Sequence, residues 1–420
     1  MVSTDGVVSK DEVVSEDDQL SHLPPLLPPE QVHPLSREML RRCPVAHSDQ
    51  DDGFWLVNRH ADLVRVMQDW EGFASGNRGV RVPKRPIAEP PMPPIDSNPP
   101  LHRDVRRVMN PYLSPGRLAE HEHVYRQIIG GMIEAFAPDG HCDIAWQLAK
   151  QFPSHITSLE LFGVTDPEEL DRLRHWVRRL SYDMLREDPK VLTALHGEWV
   201  EWIQGLIDRR RADPGDDIIS ALIETPVEDG RHLSNEELIG AVEILSKGGF
   251  STTADATCNI VIRLIEEPGL EAELRAHPEK IPAAIEEVMR LDPPVTARPR
   301  RATSDVVIGD QLIRKDERVL CNYLAANVDP EEWEDPEEFR LDRIRNRVMT
   351  FGAGPHRCIG SNLARLSLRV MVEELLERVT DIRWAGDERE ERISFNPSAW
   401  RAVDSLKVVF TPLGRSHAGA

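Results

Sequence analysis

Cysteine is scarce in this chain: it occurs five times in 420 residues, and no two cysteines form a CxxC pair. Such an odd, scattered set in a long chain indicates a reducing compartment rather than a disulfide framework. No apolar run approaches the roughly 18 residues of a membrane-spanning helix. The N-terminus is acidic and polar and lacks the basic start and apolar stretch of a signal peptide. The sequence therefore predicts a cytoplasmic protein with no membrane segment.

Basic residues are outnumbered by acidic ones. Lys and Arg total 51 against 72 for Asp and Glu, which gives a formal net charge of −21. Nucleic acids and anionic membranes bind net basic surfaces, so this balance argues against both as partners. Hydrophobic residues make up 40% of the chain, which is ordinary for a folded protein with a substantial core.

Long helical patterns dominate the chain, and both of its termini are expected to be flexible. The first is a disordered acidic tail over residues 1–20, and the second is a flexible C-terminus over residues 414–420. Residues 21–413 are expected to form a single domain. Within it, short strand-like pieces occur at 305–313 and 317–324.

The longest helix can be delimited by the signals at its ends. Ser234 and Glu237 fit a capping box, and Pro268 followed by a glycine predicts the stop. Its centre contains Gly248 and Gly249, and each glycine costs about 1 kcal/mol relative to alanine in a helix interior. Three explanations are open: a flat group packed against the helix, a local break, or the close approach of another helix.

The strongest motif is a glycine-rich loop over residues 351–360 that leads directly into a helix. Cys358 lies just before that helix. A helix N-terminus and loop N–H groups favour the thiolate, which is the ligating form of cysteine, and glycines let the backbone approach a planar cofactor. Three alternatives remain at this point: a buried structural cysteine, half of a zinc site with His356, or a hydrolase nucleophile.

This loop resembles the haem-binding loop of the cytochrome P-450 family. The matching positions include Phe351, Gly352, Gly354, His356, Cys358 and Gly360. Four further segments resemble the family in the same order, so the likeness covers roughly residues 30 to 412. It implies a mainly α fold with small β-sheets, a helix-rich prism in which haem b lies between a long central helix and the helix after the cysteine. It also implies that Cys358 is the iron ligand.

The resemblance assigns basic side chains to the haem propionates. They are His102, Arg106, Arg300 and His356. His102 and Arg106 are four residues apart and share one helix face, and carboxylates inside a protein need such charge-assisted donors. Asn98 stands where the family usually has Asp, a minor departure that leaves this assignment intact.

Glu287 and Arg290 are three residues apart, which alone is typical of a solvated ion pair on a helix. In the family this pair is buried and joined by an arginine, and Arg343 matches that position. Buried charges persist only when they are fully paired. The resemblance therefore implies a structural role for these three residues.

Four residues of the long helix share one face: Ile244, Gly248, Thr252 and Asp255. By resemblance this face covers the distal side of the haem, Gly248 leaves room for dioxygen, and Thr252 steers protons. The family commonly has Asp or Glu before this threonine, whereas this chain has Ser251, which cannot supply a charge. We expect Asp255 to assist proton delivery instead. The alternative is that Asp255 pairs with a neighbouring base.

The resemblance also implies the walls of a substrate pocket. They are residues 76–98 of a proline-dense loop, about 165–195, Ile244 to Gly248, 295–298 with Val295 and Arg298, and Ser398 to Trp400. Lys247 either holds a polar group such as a substrate carboxylate, aided by Arg298, or turns away to an acidic partner. The mixed content fits terpenoids, small aromatics, fatty acids or a biosynthetic intermediate.

The implied activity is a monooxygenase that inserts one oxygen atom from dioxygen into a small or medium organic substrate, by hydroxylation or O-dealkylation. No flavin or ferredoxin module is visible, so electrons from NAD(P)H would arrive through a separate ferredoxin. Its expected docking residues are Arg103, Arg107, Arg357, Arg365 and Arg369. The alternatives are a non-catalytic haem sensor or carrier, which needs no Thr252, a non-haem cysteine hydrolase, and a peroxide-driven variant, which needs a distal general acid–base.

Overall fold

The computed structural model describes residues 29–75, 91–181, 187–227, 230–343, 347–386, 393–395 and 401–414. The predicted tail 1–20 lies outside these ranges, as do residues 76–90 of the proline-dense loop, Ser398 to Trp400, and the C-terminal end after Gly414. The single domain over 21–413 stays a prediction. None of the helices in the described ranges has the length and apolar character needed to cross a membrane.

Helices form most of the molecule, as the sequence predicted. They are α1 (Pro29–Arg42), α2 (His60–Gln68), α3 (Leu101–Met109), α4 (Pro115–Glu120), α5 (Glu122–Phe136), α6 (Phe152–Phe162), α7 (Pro167–Ser181), α8 (Pro189–Ala212), α9 (Ile218–Glu224), α10 (Asn235–Glu266), α11 (Leu270–Ala276), α12 (Ile281–Leu291), α13 (Tyr323–Ala326) and α14 (Ser361–Arg378). The apolar faces of most of them pack into one large core, because an amphipathic helix is stable only when its apolar stripe is buried. Buried residues of α1, α2 and α13 belong to two smaller clusters beside the five-stranded sheet.

The strands form small sheets beside this core. They are β1 (Val45–Ser48), β2 (Phe54–Val57), β3 (Phe73–Ala74), β4 (His141–Asp143), β5 (Ala297–Ala302), β6 (Val306–Ile308), β7 (Gln311–Ile313), β8 (Arg318–Asn322), β9 (Val379–Trp384), β10 (Ile393–Phe395), β11 (Arg401–Val403) and β12 (Lys407–Pro412). One sheet has the order β1-β2-β8-β5-β3, with β2 and β8 parallel, and a second has the order β4-β12-β9. The strands β6 and β7 form a hairpin, and β10 and β11 form an antiparallel pair.

The piece predicted as a strand over 305–313 is a hairpin. Val306 pairs with Ile313 across β6 and β7, and Gly309 turns the chain with φ +60°. Glycine adopts this left-handed conformation at little cost, so it reverses the chain inside what reads as one apolar run. The second piece, 317–324, contains β8 and then enters α13.

The central helix α10 begins and ends where the sequence predicted. Ser234 Oγ accepts a hydrogen bond from the Glu237 amide at 3.2 Å, and a Glu237 carboxylate oxygen accepts one from the Ser234 amide at 2.8 Å. This capping box satisfies two N–H groups that the first turn leaves unpaired. The helix then runs 32 residues, to Glu266.

The two glycines at the centre of α10 have different environments. A Cβ at Gly249 would lie 2.5 Å from the Thr157 side chain, so α6 approaches the backbone closely there. A Cβ at Gly248 would meet nothing within 4 Å, so this position faces open space. The helix is unbroken across both. The close approach of another helix therefore explains Gly249. A flat group packed against Gly248 stays a prediction.

Candidate active site

The conformation of the cysteine loop depends on a backbone hydrogen bond and on two glycines. The Cys358 amide donates to the Phe351 carbonyl at 2.8 Å. Gly352 and Gly354 have φ of +68° and +67°, and a Cβ at Gly354 would lie 2.2 Å from the Met67 carbonyl oxygen. A side chain at position 352 or 354 would therefore be strained by the backbone conformation, and at position 354 it would also clash with Met67. The loop delivers the chain into α14, which begins at Ser361.

Cys358 faces an interior space. Its side chain is accessible to solvent, yet burial raises the pKa of its thiol. The groups that oppose this rise are the Gly360 amide, which hydrogen bonds to the sulfur, and the charges of Arg106, Arg298 and Arg365. An accessible sulfur with a burial-raised pKa lies in a recess of the protein, and positive charges surround that recess.

Four basic side chains converge beside this recess. His102 and Arg106 come from α3, Arg300 comes from β5, and His356 comes from the cysteine loop. The His102 and His356 rings are 4.2 Å apart between centroids, and the Nε2 atom of each is buried without a hydrogen-bond partner. Within the described ranges, no carboxylate pairs with either arginine: Arg106 donates to the Arg357 carbonyl and Arg300 to the Pro299 carbonyl.

The pKa values of the two histidines show that this cluster lacks negative charge. Burial, together with the charges of Arg106 and Arg300, lowers the pKa of His102 to about 4. Burial, together with the charges of Arg300, His102 and Arg106, lowers the pKa of His356 to about 2. Buried polar nitrogens are rarely left without a partner. The four side chains therefore fit the carboxylates of a dianionic cofactor placed next to Cys358.

The open face of α10 contains a hydroxyl group. Gly248 is exposed, and Ile244 and Thr252 are half-buried, in a helix whose other central positions are mostly buried. Thr252 Oγ1 donates to the Gly248 carbonyl at 2.7 Å, and Ser251 Oγ donates to the Lys247 carbonyl at 3.1 Å. A hydroxyl has one hydrogen and two lone pairs, so Thr252 uses its hydrogen within the helix and presents lone pairs as acceptors.

Asp255 is covered and is not part of the open face around Gly248. It is 3% exposed, and its Oδ1 accepts a hydrogen bond from the Val403 amide at 3.2 Å. The residue does point to the same side of α10 as Gly248, but it lies two turns further along the axis, where β11 covers the helix. This geometry favours a role in positioning β11 over a role in proton delivery.

Lys247 faces an acidic partner, which was the second of its two sequence-based alternatives. Its ammonium forms an ion pair with Glu243 and lies 5.2 Å from the centroid of the Trp199 ring of α8. His196 Nε2 lies 3.2 Å from the same carboxylate. Although burial opposes it, His196 and Lys247 together lower the pKa of Glu243 to about 2. This pairing favours the acidic partner over a substrate carboxylate as the alternative for Lys247, because the buried ammonium is already neutralised by a paired carboxylate.

Of the other residues expected to line the substrate pocket, only some are accessible. Val295 is buried in a smaller core beside the five-stranded sheet. Arg298 is half-buried, and its Nη1 donates to the Ala297 carbonyl at 3.1 Å. Ile244 is half-buried and presents an apolar side chain next to Gly248 on the open face.

Glu287, Arg290 and Arg343 meet in one buried cluster. The Arg290 guanidinium donates to both Glu287 oxygens, at 2.8 and 2.7 Å, and Arg343 Nε donates to Oε1 at 2.9 Å. Arg290 is fully buried and also donates to the Asn327 carbonyl. Such complete pairing offsets the cost of removing these charges from water.

The arginines expected to dock a redox partner fall into two groups. Arg103, Arg107 and Arg357 are exposed around the cysteine loop. Arg365, in contrast, forms an ion pair with Glu286 and lies 4.3 Å from the centroid of the Phe351 ring. Arg369 pairs with Glu122 and Glu373. The charges of Arg365 and Arg369 are thus paired within the protein, and Arg103 and Arg107 also lie near a carboxylate, that of Asp104, at 3.8 and 3.7 Å. Docking at these arginines stays a prediction.

Comparisons with known proteins agree with this arrangement. The family model for cytochrome P450 matches residues 279–380, which include α12 and the cysteine loop. Linalool 8-monooxygenase from Pseudomonas putida is 30% identical over 395 residues, covering 90% of this chain and 96% of that protein. Steroid C26-monooxygenase from Mycolicibacterium smegmatis is 31% identical over 323 residues, covering 76% of this chain and 79% of that protein.

A solved structure has the same fold over nearly the whole chain. A mutant of P450 EryK in complex with erythromycin B superposes with a TM-score of 0.81 at 28% identity, covering 93% of this chain and 98% of that one. The identities of 30% and 31% to the two monooxygenases, over more than two thirds of each chain, show common membership of a family. The chain belongs to the cytochrome P450 family and is a haem monooxygenase, an oxidoreductase that incorporates oxygen from dioxygen.

Proposed function

We propose that Cys358 is the proximal iron ligand of haem b and that the chain oxygenates a small or medium, largely apolar substrate. The observation that carries this proposal is the pair of buried, unpartnered imidazole nitrogens of His102 and His356 beside Arg106 and Arg300. Two propionate carboxylates would satisfy these four side chains. When bound, haem with a thiolate ligand supplies the activation of dioxygen.

The chain's own residues would position the cofactor from two sides. The four basic groups would bind the propionates. Gly352 and Gly354 let the loop pack closely against other parts of the chain, and Gly360 has open space beside its backbone. Phe351 is buried under Arg365 and supports the loop from below. On the opposite side, Gly248 keeps the helix backbone free of a side chain where dioxygen would bind.

Proton delivery is proposed to depend on Thr252 and Ser251. The hydrogen of Thr252 is engaged with the Gly248 carbonyl, so its oxygen accepts a hydrogen bond from a water in the open space beside it. That water is positioned by Thr252 Oγ1 and carries the proton. No role for the Asp255 carboxylate is required, because Asp255 is buried against β11.

The proposed substrate is an uncharged, mostly apolar molecule such as a terpenoid or a steroid. The Lys247 ammonium is paired with Glu243, and the open face presents Ile244 and the bare backbone of Gly248. Two relatives are named for oxygenating linalool and the steroid C26 position. Hydroxylation is the proposed outcome, and O-dealkylation follows if the attacked carbon bears oxygen.

Electrons are proposed to come from NAD(P)H through a separate ferredoxin in the cytoplasm. Arg103, Arg107 and Arg357 are exposed around the cysteine loop and form the proposed docking surface. An acidic ferredoxin would be attracted to this local positive charge even though the whole chain carries a net charge of −21.

A visible absorption titration with paired ligands tests the proposal. Terpenoid and steroid alcohols are compared with the matching carboxylic acids, and the shift of the Soret band to its high-spin position is recorded. We expect the neutral members to give the shift, and labelled dioxygen to place one oxygen atom in the product when a ferredoxin and its reductase are added. A shift with the acids alone would contradict the proposed pocket. Binding without product would instead favour a haem sensor or carrier.

A further inference from the structure

Gly240 of α10 is in contact with a different part of the chain. It is buried and lies four residues before Ile244 and eight before Gly248, on the same side of the helix. A Cβ at Gly240 would lie 1.8 Å from the Pro91 carbonyl oxygen and 3.1 Å from the Met92 Cα atom. The backbone of Pro91 and Met92 therefore occupies the space that any side chain at position 240 would need.

The stretch that rests on Gly240, residues 91–98, is braced internally. The Met92 amide donates to an Asp96 carboxylate oxygen at 2.8 Å, and the Ile95 amide donates to the Met92 carbonyl at 3.0 Å. At its far end the Asn98 side chain accepts a hydrogen bond from the Ser75 amide at 3.2 Å. Because these hydrogen bonds hold the segment near both of its ends, we expect a displacement of Pro91 to affect the whole 91–98 segment.

The 91–98 segment contacts α10 in space and precedes α3 along the chain. It touches α10 at Gly240, on the side of Gly248, and it continues directly into α3, which carries His102 and Arg106. Met92 is buried, whereas Ile95 is 39% exposed, so one apolar side chain of the segment is not used in the core. The segment thus connects the open face of α10 to the cluster beside the cysteine loop.

We propose that Gly240 is a specificity-determining position, which sets the width of the substrate pocket by letting the 91–98 segment pack directly on α10. This inference rests on the proposed haem site. Alanine at 240 would require the Pro91 carbonyl to move by about 1.5 Å to reach ordinary van der Waals separation. The helix cannot move instead, because α6, α7 and α8 pack against its other sides.

Alkylimidazoles that bind the haem iron measure this width. Dissociation constants are determined from Soret shifts for 1-alkylimidazoles from methyl to decyl, in the wild-type protein, Gly240→Ala and a control, Gly131→Ala. Gly131 is an exposed glycine of α5 with no atom near its Cβ position. We expect Gly240→Ala to move the tightest binding to longer alkyl chains and to weaken the wild type's best ligand several-fold, while Gly131→Ala follows the wild type. Coincident profiles for Gly240→Ala and the wild type would overturn the inference.

A second variant and a second readout keep the test decisive if Gly240→Ala folds poorly. Asp96→Ala removes the acceptor of the Met92 amide while leaving Gly240 in place, and it should shift the profile in the same direction. Hydrogen exchange at the Ile95 amide should accelerate in both variants, with and without haem. Unchanged exchange in both would contradict the contact. If the wild type itself gives no Soret response, the proposed haem site fails, whereas the exchange rates still test whether Gly240 lets the 91–98 segment pack on α10.

Discussion

Asp255 holds the Val403 amide with a buried carboxylate oxygen. Asparagine retains an oxygen acceptor at that place, whereas alanine leaves a buried N–H unpaired at a cost of about 1–3 kcal/mol. We expect Asp255→Asn to keep the wild-type ratio of product to peroxide and Asp255→Ala to lower the free energy of unfolding by that amount. Denaturant unfolding and peroxide assays measure both. Raised peroxide release in Asp255→Asn would return this residue to proton delivery.

The ion pair of Glu243 and Lys247 gives a second prediction. Glu243→Gln leaves a buried ammonium without its counter-charge, and we expect a loss of about 3–5 kcal/mol in unfolding free energy. The double variant Glu243→Gln/Lys247→Met should recover part of it, because both charges are then absent. Denaturant unfolding of the wild type, Glu243→Gln and the double variant tests this. If Lys247→Met keeps full stability but selectively weakens acidic ligands, the ammonium binds substrate after all.

The lowered pKa of Glu243 predicts how the stability of the fold changes with pH. Its folded-state pKa, about 2, lies below the ordinary value of a glutamate. The carboxylate therefore stabilises the fold above pH about 4.5, and this stabilisation is lost as the pH falls towards 2. Glu243→Gln should flatten the pH dependence of unfolding over that interval.

At the residue scale, contiguous motifs were predictable and contacts between distant helices were not. Cys358 and the glycines around it lie within ten residues, so the loop could be identified directly. The partner of Lys247 was within reach, because Glu243 is four residues earlier and such pairs meet on a helix. His196 was not, since it reaches Glu243 only after α8 packs on α10.

At the scale of elements, the two adjacent glycines of α10 should respond oppositely to alanine. Gly249→Ala places a methyl against the buried Thr157 side chain, and we expect a loss of about 1–3 kcal/mol from overpacking. Gly248→Ala meets open space and should gain up to about 1 kcal/mol in helix propensity, while weakening alkylimidazole binding by crowding the distal side. Thermal unfolding and Soret titration separate the two. Equal effects would contradict their different environments.

The ends of helices were predictable because capping involves only adjacent residues. The segments that pack against each helix were not predictable from the sequence. The capping box at Ser234 and Glu237 needs only four consecutive residues. The contact of Gly240 with Pro91 joins parts of the chain about 150 residues apart, and no local signal distinguishes it from any other helical glycine. The hairpin over 305–313 was missed because Gly309 interrupts an otherwise strand-like run.

At the scale of the whole molecule, a net charge of −21 coexists with exposed arginines around the cysteine loop. We expect Arg107→Glu to slow reduction by an acidic ferredoxin, most strongly at low salt, because the local field steers the encounter. Arg209→Glu is the matched control, since Arg209 is also exposed but lies on α8. Stopped-flow reduction rates at several salt concentrations test this. Equal rates for both variants would exclude the proposed docking surface.

The central claim is that Cys358 binds haem iron as a thiolate, and the absorption spectrum of the reduced carbon monoxide complex tests it most directly. The wild-type protein should give the red-shifted Soret band of a thiolate-ligated haem. Cys358→His should still retain haem, because the four basic groups at its propionates are unchanged, but with the band at shorter wavelength. A wild-type protein without the red-shifted band, or a Cys358→His variant that keeps it, would contradict the account.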